Sequence, residues 1–191
     1  MSSLTLFLGG MRSGKSRLAQ MTAERLGGST VTYVATADVK DAEMAARIAL
    51  HRAARPETWH TLEGTPEKIP EKIRGIRGIL LLDCLTLWLS RLLLAEPSAD
   101  GEDPATWNAA EKRILDLLEH LLDAPARSAH FLVVSNEVGH APIPPYRLGR
   151  RFVDLQGRAN QVAAARADAV AFVVAGIPQW IKGTPPDMPD L

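Results

Sequence analysis

The stretch LTLFLGGMRSGKSRLAQMTAERL, running from Leu4 to Leu26, decides the fold. LTLFL reads as a strand and RLAQMTAERL as a helix, and the GGMRSGKS between them fits G-x-x-x-x-G-K-[ST] in full. The chemistry follows from residue type. Glycines let backbone N–H groups converge on phosphate oxygens, and the helix that starts there adds the positive end of its dipole. The cradle comprises Gly9, Gly10, Met11, Arg12, Ser13, Gly14, Lys15 and Ser16. Within it Lys15 is placed to reach the β- and γ-phosphates of a nucleoside triphosphate, and Ser16 to ligate Mg²⁺. The bland alternative is a glycine-rich turn with a surface lysine. The strand before it and the helix after it argue against that reading.

Beyond this unit, short apolar runs alternate with longer helical patterns, the signature of an α/β fold with a largely parallel sheet and helices on both faces. Strands are expected at 4–8, 30–35, 78–83, 130–135 and 169–175, and helices at 16–26, 41–54, 85–95, 104–122 and 147–167. Runs such as ILLL and FLVV are continuously apolar, as in strands covered on both faces. Segments 96–104 (EPSADGEDP) and 139–146 (GHAPIPPY) read as loops, and Pro56 as the stop of the second helix. One nucleotide-binding domain is expected over 1–183, followed by a proline-rich, poorly ordered tail at 184–191.

Composition bounds the function. With 22 basic and 22 acidic residues, the protein as a whole offers no field for nucleic acid or an anionic membrane, so any basic patch is local. The single cysteine, Cys84, excludes an internal disulfide and a thiolate zinc cluster. The apolar run at Leu4–Leu8 lacks a basic lead-in and is shorter than a signal-peptide core, and no run approaches the roughly 18 apolar residues of a membrane span. The expectation is a soluble cytoplasmic protein.

A phosphate cradle of this type works with a second, magnesium-side acid. Asp83, closing the apolar run GILLLD, stands where that carboxylate belongs, at the C-terminal edge of the sheet. Glu137, just after HFLVVS, is a second candidate or a plain loop acid. The most unusual segment is DAEMAARIALHRAARPETWH: as a helix from Asp41 it places Arg47 and His51 on one stripe, Arg52 beside them and Arg55 at its end, with Met44 and Ile48 as an apolar seam. Two readings fit. The stripe is a solvated helix face, or His51 is a nucleophile or acid/base whose neighbouring arginines clamp phosphate oxygens. Arginines would keep the imidazole neutral by like-charge repulsion, whereas a helix C-terminus would raise its pKa.

Taken together, several blocks resemble the bifunctional adenosylcobinamide kinase/adenosylcobinamide-phosphate guanylyltransferase family of cobalamin biosynthesis. They are GGMRSGKS, YVATA with DAEMAARIALHRAARPETW, LLLDCLTLW, VSNEVG and RLGRRFVDLQGRANQVAAARADAVAFVVAGIP, in family order over nearly the whole chain. The resemblance implies a RecA-like P-loop NTPase fold and a homotrimer. It also implies two reactions: phosphorylation of adenosylcobinamide by ATP or GTP, then transfer of GMP from GTP through a guanylyl-histidine to give adenosylcobinamide-GDP. His51 matches the guanylylated residue. Nucleotide contacts are implied at Gly9 to Ser16, at Ala35, Thr36 and Ala37, at Arg52, Ala53, Ala54 and Arg55, and at Glu63 and Asp83, with Ser16 and Asp83 toward Mg²⁺. Asp83 stands where many relatives have glutamate, which keeps the carboxylate but shortens its reach.

Two other function classes stay open at this point. One is a P-loop kinase of another small molecule without guanylyltransferase activity. The other is a nucleotide-dependent switch, although the chain lacks the guanine-reading N-K-x-D stretch such a switch would carry. Cys84 reads as small packing, and Trp59, Trp88, Trp107 and Trp180 as core or partial core rather than stacking surfaces. His60, His120, His130 and His140 lack metal-ligand spacing, and His140 in the proline-rich loop has no assigned role.

Overall fold

The computed structural model describes residues 3–37, 42–53, 55–126 and 129–186, with the side chains of Glu43, Met44, Arg47, Ile48, Leu50 and His51 outside the description. The strands are β1 (Ser3–Gly9), β2 (Val31–Ala35), β3 (His60–Leu62), β4 (Gly78–Asp83), β5 (Ala129–Asn136), β6 (Ala169–Val174) and β7 (Ile177–Lys182). The α-helices are α1 (Lys15–Gly27), α2 (Ala42–Ala53), α3 (Ile69–Ile73), α4 (Leu85–Ala95), α5 (Pro104–Asp123) and α6 (Arg147–Arg166). The strands form one seven-stranded sheet in the order β3-β2-β4-β5-β1-β6-β7. All pairs are parallel except β6 with β7.

Burial on both faces explains the continuous apolar runs. Leu4, Leu6 and Leu8 of β1, Leu80 and Leu82 of β4, and Phe131 and Val133 of β5 enter one core cluster with α4, α5 and α6. The alternate residues Phe7, Ile79, Leu81, Leu132 and Val134 enter a second cluster with Leu18, Ala19 and Ala23 of α1. Period-2 alternation is present, but both sets are apolar because helices cover both sides. Trp59, Trp88 and Trp107 are buried, and Trp180 packs edge-on against Phe7, in keeping with the core reading of the tryptophans.

Three elements lie outside the sequence-based expectation. The edge strand β3 and the single-turn helix α3 are too short to show periodicity. β7 begins Ile-Pro and no strand is expected there, yet a proline is tolerated on an edge strand because one side of it needs no ladder donor. The turn before β7 consists of Ala175 and Gly176, both at positive φ (52° and 83°), the geometry that suits a two-residue hairpin. The segment 96–104 is partly ordered: a 3-10 turn covers Pro97–Asp100, and Asp103 caps α5 by accepting from the N–H groups of Ala105 and Thr106. Asp41, Ala54 and residues 187–191 of the expected tail lie outside the described residues. No helix among the described residues is long and apolar enough to cross a membrane.

Phe131 is fully buried on β5, near the centre of the sheet. Phe131→Ala should cost about 3–5 kcal/mol. Urea denaturation should show this as a lower midpoint at an unchanged slope.

Candidate phosphate-binding site

The C-terminal ends of the parallel strands bring together the phosphate loop and Asp83. Gly9 ends β1, the loop continues through Gly14, and Lys15 opens α1. Two glycines are required for distinct reasons. A Cβ at Gly9 would lie 2.5 Å from the Val173 carbonyl oxygen and 2.6 Å from Ser13 Oγ, so no side chain fits there. Gly14 sits at φ 94°, a region that disfavours any side chain. Around Gly10, by contrast, there is open space. The N–H of Gly176 donates to the Ser13 carbonyl at 2.8 Å, and that of Glu137 to the Gly9 carbonyl at 3.1 Å, so neighbouring strands hold the loop from both sides.

Lys15 is 6% exposed and its Nζ donates to the Gly10 carbonyl at 3.0 Å, folding the ammonium back over the loop. Burial lowers its pKa, opposed by the negative charge of Cys84 and Asp83 when ionised. Ser13 Oγ is buried without a hydrogen-bond partner among the described residues. An orphaned hydroxyl of this kind costs about 1–3 kcal/mol. A loop with open room at Gly10, a lysine ammonium and an unused hydroxyl is chemically suited to phosphate oxygens.

The carboxylate side is equally defined. Ser16 Oγ donates to Asp83 Oδ1 at 3.2 Å, across from α1 to the end of β4. Tyr33 of β2 donates its hydroxyl to Asp83 Oδ2 at 3.3 Å. Burial, then the Asp83 charge, raises the pKa of Tyr33 far above its usual value, so the phenol remains a donor. Over its ring lies the Arg55 guanidinium, 3.7 Å from the centroid. Among the described residues no group of three or more His, Cys, Asp or Glu could hold a metal. Ser16 and Asp83 are hard oxygen donors of the kind Mg²⁺ uses when phosphates and water complete its shell, so the residues present fit that ion.

Of the other sequence-selected residues, Ala35, Thr36, Ala37 and Glu63 fall along the same edge. Ala35 closes β2, with Thr36 and Ala37 beyond it, and Glu63 follows β3 as an exposed side chain. The Thr36 hydroxyl is fully committed: it accepts from the Cys84 N–H at 2.7 Å and donates to the Cys84 carbonyl at 2.8 Å. Thr36 therefore holds the residue next to Asp83 rather than presenting a free hydroxyl. Arg91 fixes the same corner by donating to the carbonyls of Thr36 and Gly64. The backbone of His51 lies in the last turn of α2, and Arg52 and Ala53 that end the helix are exposed. Arg55 stands just past the helix, as expected: α2 runs to Ala53, and the Arg55 N–H donates to the Arg52 carbonyl. Ala54, and the side chains of His51 and Arg47, lie outside the description. Glu137 turns its Oε1 toward the Gly139 N–H at 2.7 Å and acts as a loop acid here, while His140 is exposed.

Two adjoining cavities share Arg55, Pro56 and Trp59 as a common wall. The larger, of about 610 Å³, also meets Arg52, Glu57 and Thr61, and the smaller, of about 270 Å³, is closed by Arg17, Gln20 and Glu24 of α1. Sequence reasoning missed Tyr33 and the Ala175–Gly176 turn. Neither carries a local signal, because both act through strand neighbours far away in the chain.

A β1 loop held between neighbouring strands, a lysine folded over it and an acid at the end of β4 define a RecA-like P-loop protein. A prototypical ATPase from the type III secretion system of pathogenic bacteria shares the fold, with a TM-score of 0.54 at 13% identity over 89% of this chain and 50% of that one. The assembled ATPase EscN from enteropathogenic E. coli superposes with a TM-score of 0.51 at 13% identity, over 91% of this chain and 43% of that one. The family model described as cobinamide kinase / cobinamide phosphate guanyltransferase matches residues 5–181, and the chain belongs to that enzyme family. It is 44% identical to the bifunctional adenosylcobalamin biosynthesis protein CobP of Pseudomonas aeruginosa, over 94% of this chain and 98% of the relative. It is 40% identical to the bifunctional adenosylcobalamin biosynthesis protein CobU of Escherichia coli K12, over 94% and 99%.

Cys84, next to Asp83, is buried, and burial together with the Asp83 charge pushes its thiol from an ordinary value of 9.0 up to about 12. Iodoacetamide at pH 8 should leave it unmodified in the native protein and label it stoichiometrically in urea. The unfolded chain loses this proton near 9 and the folded chain only near 12. This contribution to stability is therefore complete below pH 9 and lost as the pH rises through that window.

Proposed function

We propose that the chain phosphorylates the aminopropanol hydroxyl of adenosylcobinamide with ATP or GTP, and then transfers GMP from GTP to the new phosphate, giving adenosylcobinamide-GDP. The observation that carries this reading is the bridge from the phosphate loop to the segment bearing His51: Ser16 touches Asp83, Asp83 accepts from Tyr33, and Tyr33 lies under Arg55.

In the kinase step the acceptor hydroxyl oxygen attacks the γ-phosphorus, its proton passes to solvent, and the bond to the β–γ bridging oxygen breaks. The loop from Gly9 to Ser16 and the Lys15 ammonium hold the β- and γ-phosphates and take up the charge of the departing nucleoside diphosphate. In the second reaction an imidazole nitrogen of His51 attacks the α-phosphorus of GTP, and the α–β bridge breaks to release pyrophosphate. The same loop then holds the leaving group. An oxygen of adenosylcobinamide phosphate next attacks the phosphorus, and the bond to His51 breaks. Arg52 and Arg55 stabilise charge on the α-phosphate, while Ala35 to Ala37, Ala53, Ala54 and Glu63 contact the nucleotide. Mg²⁺ held by Ser16 and Asp83 supplies neutralisation of phosphate charge. The working form is a cytoplasmic homotrimer, in line with the family resemblance.

Labelled GTP incubated with protein and Mg²⁺ should leave an acid-labile, base-stable GMP adduct that is absent in His51→Ala. Retention of the adduct in that variant removes His51 from the role. Absence of any adduct in the parent protein favours a simple small-molecule kinase. Lys15→Ala should depress both reactions by roughly 10²–10³-fold. Intact kinase turnover in that variant refutes a shared phosphate site.

A further inference from the structure

We infer that Tyr33 is a positioning residue that aims the Asp83 carboxylate and ties its orientation to the arginine arm following α2. The inference rests on the proposed function for what the aimed carboxylate does, but its geometry stands apart from that reading.

The strand register places Tyr33 where it can act. β2 and β4 pair with Tyr33 opposite Leu81 and Ala35 opposite Asp83, so Tyr33 and Asp83 are diagonal neighbours on one face of the sheet. Diagonal positions are about 7–8 Å apart, too far for a short side chain but within reach of an aromatic one. The Tyr33 hydroxyl uses that reach and donates to Asp83 Oδ2, leaving Oδ1 to Ser16. With a donor on each oxygen, the carboxylate is fixed in direction. Thr36, three residues on from Tyr33, clamps the backbone of Cys84 from the end of the same strand, so the peptide that follows Asp83 is fixed as well. Tyr33 is 5% exposed and carries the Arg55 guanidinium on its ring face. Phenylalanine would keep that ring and lose the donor, whereas leucine would lose both. The two functions of Tyr33 can therefore be separated by substitution.

The first measurement is Mn²⁺ binding to the full-length protein in the presence of a non-hydrolysable GTP analogue, read by electron paramagnetic resonance. Tyr33→Phe should weaken Mn²⁺ roughly tenfold, as expected when a buried hydroxyl partner of a charged group is lost. It should also lower GMP-adduct formation and corrinoid phosphorylation by similar factors. Tyr33→Leu should show the same Mn²⁺ loss and, in addition, lower adduct formation at least about tenfold more than phosphorylation, because Arg55 loses its platform. Circular dichroism establishes that each variant is folded, and Tyr33→Phe covers the case in which leucine disturbs the core. Unchanged Mn²⁺ affinity in Tyr33→Phe overturns the aiming role. Equal loss of both reactions in a folded Tyr33→Leu overturns the link to Arg55. If the parent protein forms no GMP adduct, the proposed function fails while the Mn²⁺ measurement still decides the aiming role.

Discussion

The Asp83 carboxylate is the point on which the site depends. It closes β4, one strand removed from the phosphate loop of β1, and it is reached from two directions: from α1 through Ser16 and from β2 through Tyr33. A carboxylate has oxygens enough for both, and a donor on each fixes its plane. Parallel strands make the meeting possible, because every β-to-α turn exits at the same edge of the sheet. An antiparallel neighbour would have sent its loop to the opposite edge. The one antiparallel pair, β6 with β7, lies on the far side of β1, where Val173 of β6 and the hairpin turn approach the loop.

What is legible in the sequence is local. The phosphate loop shows in GGMRSGKS because its strand, its glycines and its helix are consecutive, and Asp83 shows because it ends an apolar run. The helices that bury a stripe and the strands buried on both faces announce themselves by pattern. The rest depends on who neighbours whom. Tyr33 acquires its role only once β2 lies beside β4 in a given register, fifty residues away in the chain. β7 shows no strand signal because proline interrupts its apolar residues, and Ile177 and Ile181 stay exposed. The helical pattern places Arg55 at the end of the helix but does not show that its guanidinium lies over the Tyr33 ring. Nothing in the sequence shows that the Thr36 oxygen is bound up with the backbone of Cys84.

The order of strands also sets a length. Glu63 follows β3 and Gly9 ends β1, with β2, β4 and β5 between them. At about 4.8 Å per strand that separation is roughly 19 Å. A ligand in touch with both ends of this edge must lie extended along it, crossing the tips of β2 and β4 on the way. Ala35 and Asp83 end the strands that such a ligand would cross.

The Ala175–Gly176 turn has a thermodynamic meaning of its own. Its N–H to Ser13 and the close approach of Val173 to Gly9 hold the phosphate loop by backbone groups of an adjoining hairpin. Ordering a loop costs entropy, and that cost falls either on folding or on ligand capture. Here it falls on folding. A polyphosphate held by a loop already ordered spends less of its interaction energy on ordering it, and the β6–β7 turn contributes to binding by bracing that loop.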